Sequence, residues 1–199
     1  MAVTVTPNIA RLLVQLDDVS PAIRRRIEVP LNMRLDRLHW VMQIVMGWED
    51  CHLYEFRVGR SISYGEPDPD WDFAESSRLP ASGASLGDLL ARIPGKSKKF
   101  TYVYDFGDNW RHTVKLEALV AAEAGATYPR LISAERACPP EDVGGPWVMR
   151  TISLPLVTRL TRAMPRCSNG AAKGLTPPAS MWSRSNEISR RLPSAPQGD

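Results

Sequence analysis

The sequence predicts an α+β fold built on a mainly antiparallel sheet of about five strands, with one main helix and one short helix packed on it. Five segments alternate apolar and polar residues with the period of two that is typical of strands: residues 9–16, 23–29, 52–58, 98–106 and 110–119. Two further segments repeat apolar residues at helical spacing: residues 35–46 and 85–93. Because the strands occur as hairpins on either side of a helix, an antiparallel sheet is favoured over a parallel one.

The first two strands are predicted to form a hairpin around the turn sequence DDVSP. The apolar residues of the second strand share one face: Ile23, Ile27 and Val29. Arg24 and Arg26 lie on the other face, so Arg25 must point away from both of them. Three arginines divided between two faces do not form one phosphate clamp, and we expect them at a solvated strand edge.

The main helix is predicted to start after Asn32, a favourable N-cap residue, and to end at Gly47, which has the position of a C′ glycine. Its residues form one apolar stripe: Leu35, Leu38, His39, Met42, Val45 and Met46. A single stripe indicates a helix that lies on a sheet. His39, at the edge of this stripe, is interpreted as a core residue.

Residues 59–84 are polar around the sequence YGEPDPDWDF and are predicted to form a long loop. The short helix that follows opens with Ser85 and Asp88, which resemble a capping box.

The stretch YDFGDNWRHTVKLE, residues 104–117, is predicted to be a tight hairpin in the first place and a reactive site only in the second. Its flanking strands each present one apolar face: Phe100, Tyr102, Tyr104 and Phe106 before the turn, and Trp110, His112, Val114 and Leu116 after it. Gly107, Asp108 and Asn109 occupy the turn, where Gly and Asn tolerate the positive φ angles that tight hairpins require.

The charges divide the chain into a folded domain, residues 1–147, and a basic tail, residues 148–199. The domain carries 17 Lys+Arg and 20 Asp+Glu, whereas the tail carries 8 and 2. A surface that follows phosphates should belong to the folded part. Nucleic acid is therefore a disfavoured, though still open, partner.

The location is predicted to be the cytoplasm. No apolar stretch has the length of a membrane span, and the N-terminus lacks the pattern of a signal peptide. Cys51, Cys138 and Cys167 show no C-x-x-C spacing, which favours a reducing compartment and disfavours a structural zinc site.

Three segments are predicted to form one acidic and aromatic binding surface: the 64–73 loop, the 104–112 hairpin and the 138–147 loop. The candidate binding residues are His52, Tyr64, Asp68, Asp70, Trp71, Asp105, Asp108, Trp110, His112, Glu141 and Asp142. Aromatic side chains beside carboxylates suit a protein partner or a small cationic molecule. The leading interpretation is a non-catalytic binding or accessory module that needs no cofactor.

A metal-dependent, hydrolase-like enzyme is the alternative. Two imidazoles and a carboxylate suit Zn or Fe, and His52, His112 and Asp105 would supply them, with Asp108 and Glu141 as further candidates. The separation of these residues along the chain leaves their proximity open. A DNA-associated accessory factor is the second alternative. None of the P-loop, dinucleotide-binding, nucleophile-elbow or zincin motifs occurs.

The segments AIRRRIEVP, GWEDCHLYEFRVG, YDFGDNW and ACPPEDVGG occur in this order. With their neighbours they resemble the Ri-plasmid ORF-3-like family, also labelled insertion-element passenger TnpR-like, over about residues 9–147. The resemblance implies a small α+β domain encoded on plasmids, mobile elements and bacterial chromosomes, without an established biochemical activity. The TnpR label suggests a resolvase, but no nucleophile-bearing recombinase motif is present.

The resemblance ends after Trp147, where the chain becomes rich in Arg, Ser, Pro and Ala. Codons permitted for the tail can encode WGYADYFLAA and LEWRGEGFDPARFDV, two family-like segments, once a single base is restored. We therefore hypothesise a single-base deletion near Val148, with a divergent disordered tail as the alternative. The coding DNA tests the hypothesis, because one inserted base must restore both segments.

Overall fold

The fold is α+β, as predicted, in a computed structural model that describes residues 6–66 and 78–151, with side chains as far as Met149. The strands are β1 (Ile9–Leu16), β2 (Ile23–Pro30), β3 (Tyr54–Val58), β4 (Ile62–Gly65), β5 (Leu79–Pro80), β6 (Lys99–Tyr104), β7 (Trp110–Val120) and β8 (Arg130–Glu135). The helices are α1 (Leu35–Met46), α2 (Leu86–Ala91) and α3 (Gly145–Thr151), with a 3-10 turn at Ala81–Gly83. The described residues thus contain eight strands, not about five.

These eight strands form one sheet in the order β5-β4-β3-β6-β7-β1-β2-β8. Neighbouring strands are antiparallel, apart from the parallel pair β4–β5. Both predicted hairpins are confirmed, because Leu16 pairs with Ile23 and Tyr104 pairs with Trp110. β6 and β7 are the fourth and fifth strands in this order, so the turn between them projects from the middle of one end of the sheet.

The core lies between one face of the sheet and helix α1. Strand alternation directs Leu12, Val14 and Phe56 inward, and all three are 0% exposed. The predicted apolar stripe of α1 packs against them and contributes Leu35, Leu38, Met42, Val45 and Met46 to the same cluster. Each such side chain contributes about 1.5–3 kcal/mol through its burial.

The opposite face of the sheet carries ion pairs. Glu28 is fully buried there, with guanidinium nitrogens of Arg11 and Arg130 at 2.7 and 2.6 Å from its carboxylate. Arg26 pairs with Glu117 at 2.7 Å. Arg11, Arg26 and Arg130 of this face are thus bound by carboxylates of the chain itself.

Arg25 occupies the core face and not a solvated edge. It is 1% exposed, and its Nε donates to the carbonyl of Val45 at 2.6 Å, near the C-terminal end of α1. Its Nη1 donates to the carbonyl of Glu135 at 3.1 Å. The prediction of a strand edge is wrong because β8 pairs with the outer side of β2.

Three short strands were not predicted. β4 and β5 lie in the predicted long loop, and β8 lies between the predicted hairpin and the 138–147 loop. Both residues of β5 are exposed, and no residue of β8 is fully buried. Neither strand therefore has the alternation that reveals a strand in sequence. Three candidate binding residues of the predicted long loop lie outside the described residues: Asp68, Asp70 and Trp71.

Helix α1 starts later than predicted. Its N-cap is Arg34 instead of Asn32, and the Arg34 side chain makes no capping bond. The preceding residues stay outside the helix, because residues 31–32 form a turn and Arg34 is extended and bridges Ser85. Beside this bridge, the Leu86 N–H donates to the carbonyl of Met33 at 2.8 Å. Gly47 ends the helix at a φ of 83°, as predicted.

The capping box of α2 is confirmed and gives a testable stability contribution. The Ser85 hydroxyl accepts from the Asp88 N–H at 3.2 Å, and the Asp88 carboxylate accepts from the Ser85 N–H at 2.9 Å. We expect Ser85→Ala to lower the free energy of unfolding by about 1 kcal/mol in a urea titration. The exposed Ser82, replaced by Ala, is the control; a similar loss there would contradict a specific cap.

Helix α3 extends past the predicted domain end at Trp147, and Met149 packs against the core. Residues 152–199, which make up most of the predicted tail, lie outside the described residues. Within residues 6–66 and 78–151, none of the helices has the length and apolarity that crossing a membrane would require.

Candidate functional site

Three loops meet beside the turn that joins β6 to β7. We call the following segments together the three-loop site: residues 47–53 between α1 and β3, residues 105–109 in the turn, and residues 138–145 between β8 and α3. The first and third loops are bonded directly. The Trp48 Nε1–H donates to the carbonyl of Pro139 at 2.9 Å, and the Glu49 N–H donates to Oε2 of Glu141 at 2.8 Å.

A closed ring of hydrogen bonds fixes the first loop. His39 Nε2 lies 2.6 Å from Asp50 Oδ1, and His39 Nδ1 lies 2.8 Å from the Tyr102 hydroxyl. Gln43 donates to that hydroxyl at 3.0 Å and accepts from the Asp50 N–H at 3.0 Å. Burial lowers the pKa of His39, so its neutral ring donates to Asp50 and accepts from Tyr102. The ring of bonds anchors Asp50, and the residues after it, to both α1 and the sheet.

Tyr104 connects the first and third loops from inside the sheet. Its hydroxyl accepts from the Cys51 N–H at 2.8 Å and donates to Oε1 of Glu141. Burial raises the pKa of Tyr104 and also that of Glu141. The hydroxyl therefore stays protonated and keeps its bond to the carboxyl group.

His52 lies between two carboxylates. Its Nε2 is 2.9 Å from Oδ1 of Asp142 and 3.6 Å from Oδ2 of Asp105. The side chains of His52, Asp142 and Asp105 are 29%, 44% and 10% exposed, so a ligand from solvent can reach the group. The structure thus brings together predicted residues from all three loops.

The turn holds Asp105 in one orientation. Oδ1 of Asp105 accepts from the N–H groups of Gly107 at 2.9 Å and Asp108 at 3.2 Å, which leaves Oδ2 to face His52. Asp105 and Asn109 have φ angles of 58° and 54°. Positive φ was expected at Gly107 and Asn109; Asp105 takes the place of Gly107, since Asp also visits the left-handed region.

Asp108 adds a carboxylate on the side of the third loop. Its Oδ2 accepts from the Gly144 N–H at 3.0 Å. Burial, followed by repulsion from Asp105, raises the pKa of Asp108. A smaller repulsion comes from Asp142. Mutual repulsion of this kind makes the site favourable for a positively charged group.

Gly145 permits the close approach of the third loop to the turn. Its φ is +75°, and a Cβ atom there would lie 2.4 Å from the carbonyl oxygen of Asp108. We expect Gly145→Ala to destabilise the protein by about 2–4 kcal/mol in chemical denaturation, through backbone strain and overpacking. Gly125 has the same φ with nothing within 4 Å of the added Cβ. Gly125→Ala therefore measures the strain alone, and equal losses in the two variants would refute the close approach.

Three of the predicted binding residues lie in the core instead. Tyr64 is 2% exposed, and Trp110 and His112 are 0% exposed, because each faces inward from its strand. His112 Nδ1 lies 3.3 Å from the carbonyl of Tyr102. These three residues do not contribute to a surface. Among the described residues, the prediction that they take part in an acidic and aromatic binding surface is therefore wrong.

Two groups in the described part of the chain have three metal-ligand atoms within 4.8 Å of one another: Glu49, Cys51 and Glu141, and His52, Asp105 and Asp142. The second group replaces the predicted set of His52, His112 and Asp105. In the first group, both oxygens of Glu141 already accept hydrogen bonds. The His52 group is therefore the better placed of the two to hold a cation.

The supporting residues of the first loop were missed by sequence reasoning. His39 and Gln43 are four residues apart and thus lie on the same face of α1, where two polar side chains interrupt an apolar stripe. The cluster Glu49-Asp50-Cys51-His52, directly after the helix end, was the second available signal. Polar residues next to a helix terminus commonly serve to fix a loop.

Comparisons with known proteins agree with the fold. A family model described as plasmid pRiA4b ORF-3-like protein matches residues 8–154. The uncharacterized protein y4hQ of Sinorhizobium fredii is 46% identical over 140 residues, which cover 70% of this chain and 69% of y4hQ. The crystal structure of MM3350, a protein of unknown function from Methanosarcina mazei Go1, has 30% identity and a TM-score of 0.63, covering 80% of this chain and 84% of that one. The chain therefore belongs to the plasmid pRiA4b ORF-3-like family, as its resemblance in sequence indicated.

Proposed function

We propose that this protein is a non-catalytic binding module, linked to mobile elements, that holds a positively charged group of a protein or small molecule at the three-loop site. The observation that supports this function most directly is the pair of carboxylates on either side of one histidine, with a third carboxylate, Asp108, close enough to be repelled by both. Asp142 and Asp105 lie 2.9 and 3.6 Å from His52 Nε2, and Asp108 is bonded to the third loop.

Two of these three carboxylates, and that of the neighbouring Glu141, are held in place before any ligand arrives. Asp105 is fixed by backbone N–H groups of its own turn, and Asp108 by the N–H of Gly144. Glu141 is fixed by the Glu49 N–H and the Tyr104 hydroxyl. A site with such fixed geometry binds without a large cost for ordering its side chains.

The charge of the site favours a cationic ligand over nucleic acid. Clustered carboxylates attract positive groups and repel phosphates. On the other face of the sheet, Arg11, Arg26 and Arg130 are bound to glutamates. A DNA-associated function has less support in the described residues than a cation-binding one.

Fluorescence anisotropy with a labelled oligolysine peptide tests the proposal on the full chain, first treated with a chelator. We expect salt-dependent binding that weakens by at least about tenfold, or about 1.4 kcal/mol, in the double variant Asp105→Asn, Asp142→Asn. Glu123→Gln is the matched control, because this exposed carboxylate binds Arg130 outside the site. Its affinity should equal that of the wild type.

A labelled DNA duplex measured in parallel tests the competing function. Binding of the duplex without binding of the peptide would reject the proposal in favour of a DNA-associated factor. Equal peptide affinity in the wild type and the double variant would also reject it, since the charge would then act elsewhere.

The cellular setting is part of the proposal. Cys51 and Cys138 form no disulfide within the described residues, which supports a reducing cytoplasm.

We also keep the out-of-frame origin of the tail as a proposal. Sequencing the coding DNA beyond the codon for Trp147 decides it.

A further inference from the structure

We propose that His52, Asp105 and Asp142 form a binding site for a divalent first-row transition metal ion, with Zn²⁺ or Mn²⁺ as the occupant. This inference rests on the proposed function and extends it, because a metal ion would be a second kind of cation held by the same carboxylates of the three-loop site. The ligand atoms would be Nε2 of His52, Oδ2 of Asp105 and Oδ1 of Asp142.

The spacing of these atoms matches a coordination shell. Metal–ligand bonds of about 2.0–2.2 Å in a tetrahedral site put neighbouring ligand atoms about 3.3–3.6 Å apart. The 3.6 Å distance from His52 Nε2 to Asp105 lies at the upper end of this range, and the 2.9 Å distance to Asp142 lies below it. All three ligand atoms lie within 4.8 Å of one another, so small side-chain displacements would admit an ion.

Asp105 is oriented by hydrogen bonds from outside the group. The second oxygen of Asp105 is occupied by the N–H groups of Gly107 and Asp108, so only Oδ2 is directed at His52. Metal-binding carboxylates in proteins are commonly held by such outer contacts.

The residues next to the other two ligands are joined by one hydrogen-bond network. Cys51, beside His52, donates its N–H to the Tyr104 hydroxyl, and Glu141, beside Asp142, accepts from that same hydroxyl. Glu141 also accepts from the Glu49 N–H. Tyr104 thereby sets the separation between the loop that carries His52 and the loop that carries Asp142.

The ligand types indicate the class of metal. An imidazole nitrogen suits zinc and other first-row transition metals, whereas Ca²⁺ and Mg²⁺ prefer oxygen ligands alone. Two carboxylates balance the double positive charge. Three protein ligands leave a position for water or for a donor atom of a partner.

Isothermal titration calorimetry of the full chain, after chelator treatment, tests the site with Zn²⁺ and with Mn²⁺ separately. We expect one ion per chain for at least one of the metals. His52→Gln and Asp142→Asn should each lower the affinity about tenfold or more. Cys51→Ser removes a ligand from the neighbouring Glu49 group and reports whether that group holds the ion instead. Glu123→Gln, outside the three-loop site, is the control and should leave the affinity unchanged.

The outcomes separate this inference from the proposed function. Absence of binding by both metals, together with retained oligolysine binding, would overturn the metal site and leave the binding module intact. Failure of both probes would overturn both proposals. Metal binding that His52→Gln and Asp142→Asn leave unchanged, or that Cys51→Ser abolishes, would assign the ion to other residues and overturn this site.

Discussion

Acidification from about pH 7 to about pH 5 is expected to lower the free energy of unfolding by about 2 kcal/mol through His112 alone, and further through His39. Burial lowers the pKa of His112 from 6.5 to about 3 and also lowers the pKa of His39. Between these pH values the unfolded chain binds protons that the folded chain excludes. Stability is therefore fully present above pH 6.5 and falls as the pH drops through the window towards 3.

Urea titrations at the two pH values measure this dependence, with His112→Gln as the critical variant. A glutamine amide can still donate to the carbonyl of Tyr102, but it does not titrate. The stability difference between the two pH values should therefore shrink by about 2 kcal/mol in the variant. Burial raises the pKa of Glu141 and Asp108. These carboxyl groups favour the folded state at lower pH and so oppose the loss through His112. The variant retains them, so the comparison of the wild type with His112→Gln cancels their contribution.

Two results would contradict the explanation. One is a wild-type protein that is equally stable at both pH values. The other is a His112→Gln variant that keeps the full pH dependence, which would place the responsible groups elsewhere. Retention of the full pH dependence in the variant would mean that the imidazole of His112 is protonated in the folded protein at pH 5 despite its complete burial.

Much of the sheet could be predicted because its strands combine one buried and one polar face. In β1, Leu12 and Val14 are fully buried while Leu13 and Gln15, on the other face, are partly exposed, and this contrast is visible in sequence. β5 consists of two exposed residues, and β8 has only partly buried or exposed ones. Their pairing depends on neighbouring strands that sequence patterns do not identify.

The candidate site could be predicted only in pieces. The hairpin turn and the acidic third loop have recognisable sequences, but their contact depends on residues far apart, such as Asp108 and Gly144. The prediction of an aromatic part of this surface was wrong for a different reason. Strand alternation already placed Trp110 and His112 on the apolar face, and that pattern was the better guide to their position. Asp142 was chosen for its charge, whereas its contact with His52 follows from the tertiary fold.

Replacing Trp110 with Ala is expected to destabilise the protein by about 3–5 kcal/mol. Trp110 is among the largest fully buried side chains, pairs with Tyr104 across β6 and β7, and lies 5.8 Å from the ring of Trp48. Its Nε1 has no hydrogen-bond partner among the described residues, so the loss comes from packing. Domains of this size are stable by only about 5–15 kcal/mol, so the substitution would remove a large part of the free energy of unfolding.

Trp147→Ala is the matched control, because the same side chain is 74% exposed there. Its free energy of unfolding should stay within about 0.5 kcal/mol of the wild type, as is usual for surface substitutions. Denaturant titrations of both variants make the comparison. Trp48 and Tyr104, the neighbours of Trp110, also bond to Pro139 and Glu141 of the third loop. Equal losses in the two variants would therefore contradict the view that the packing of Trp110 stabilises the three-loop site through these neighbours.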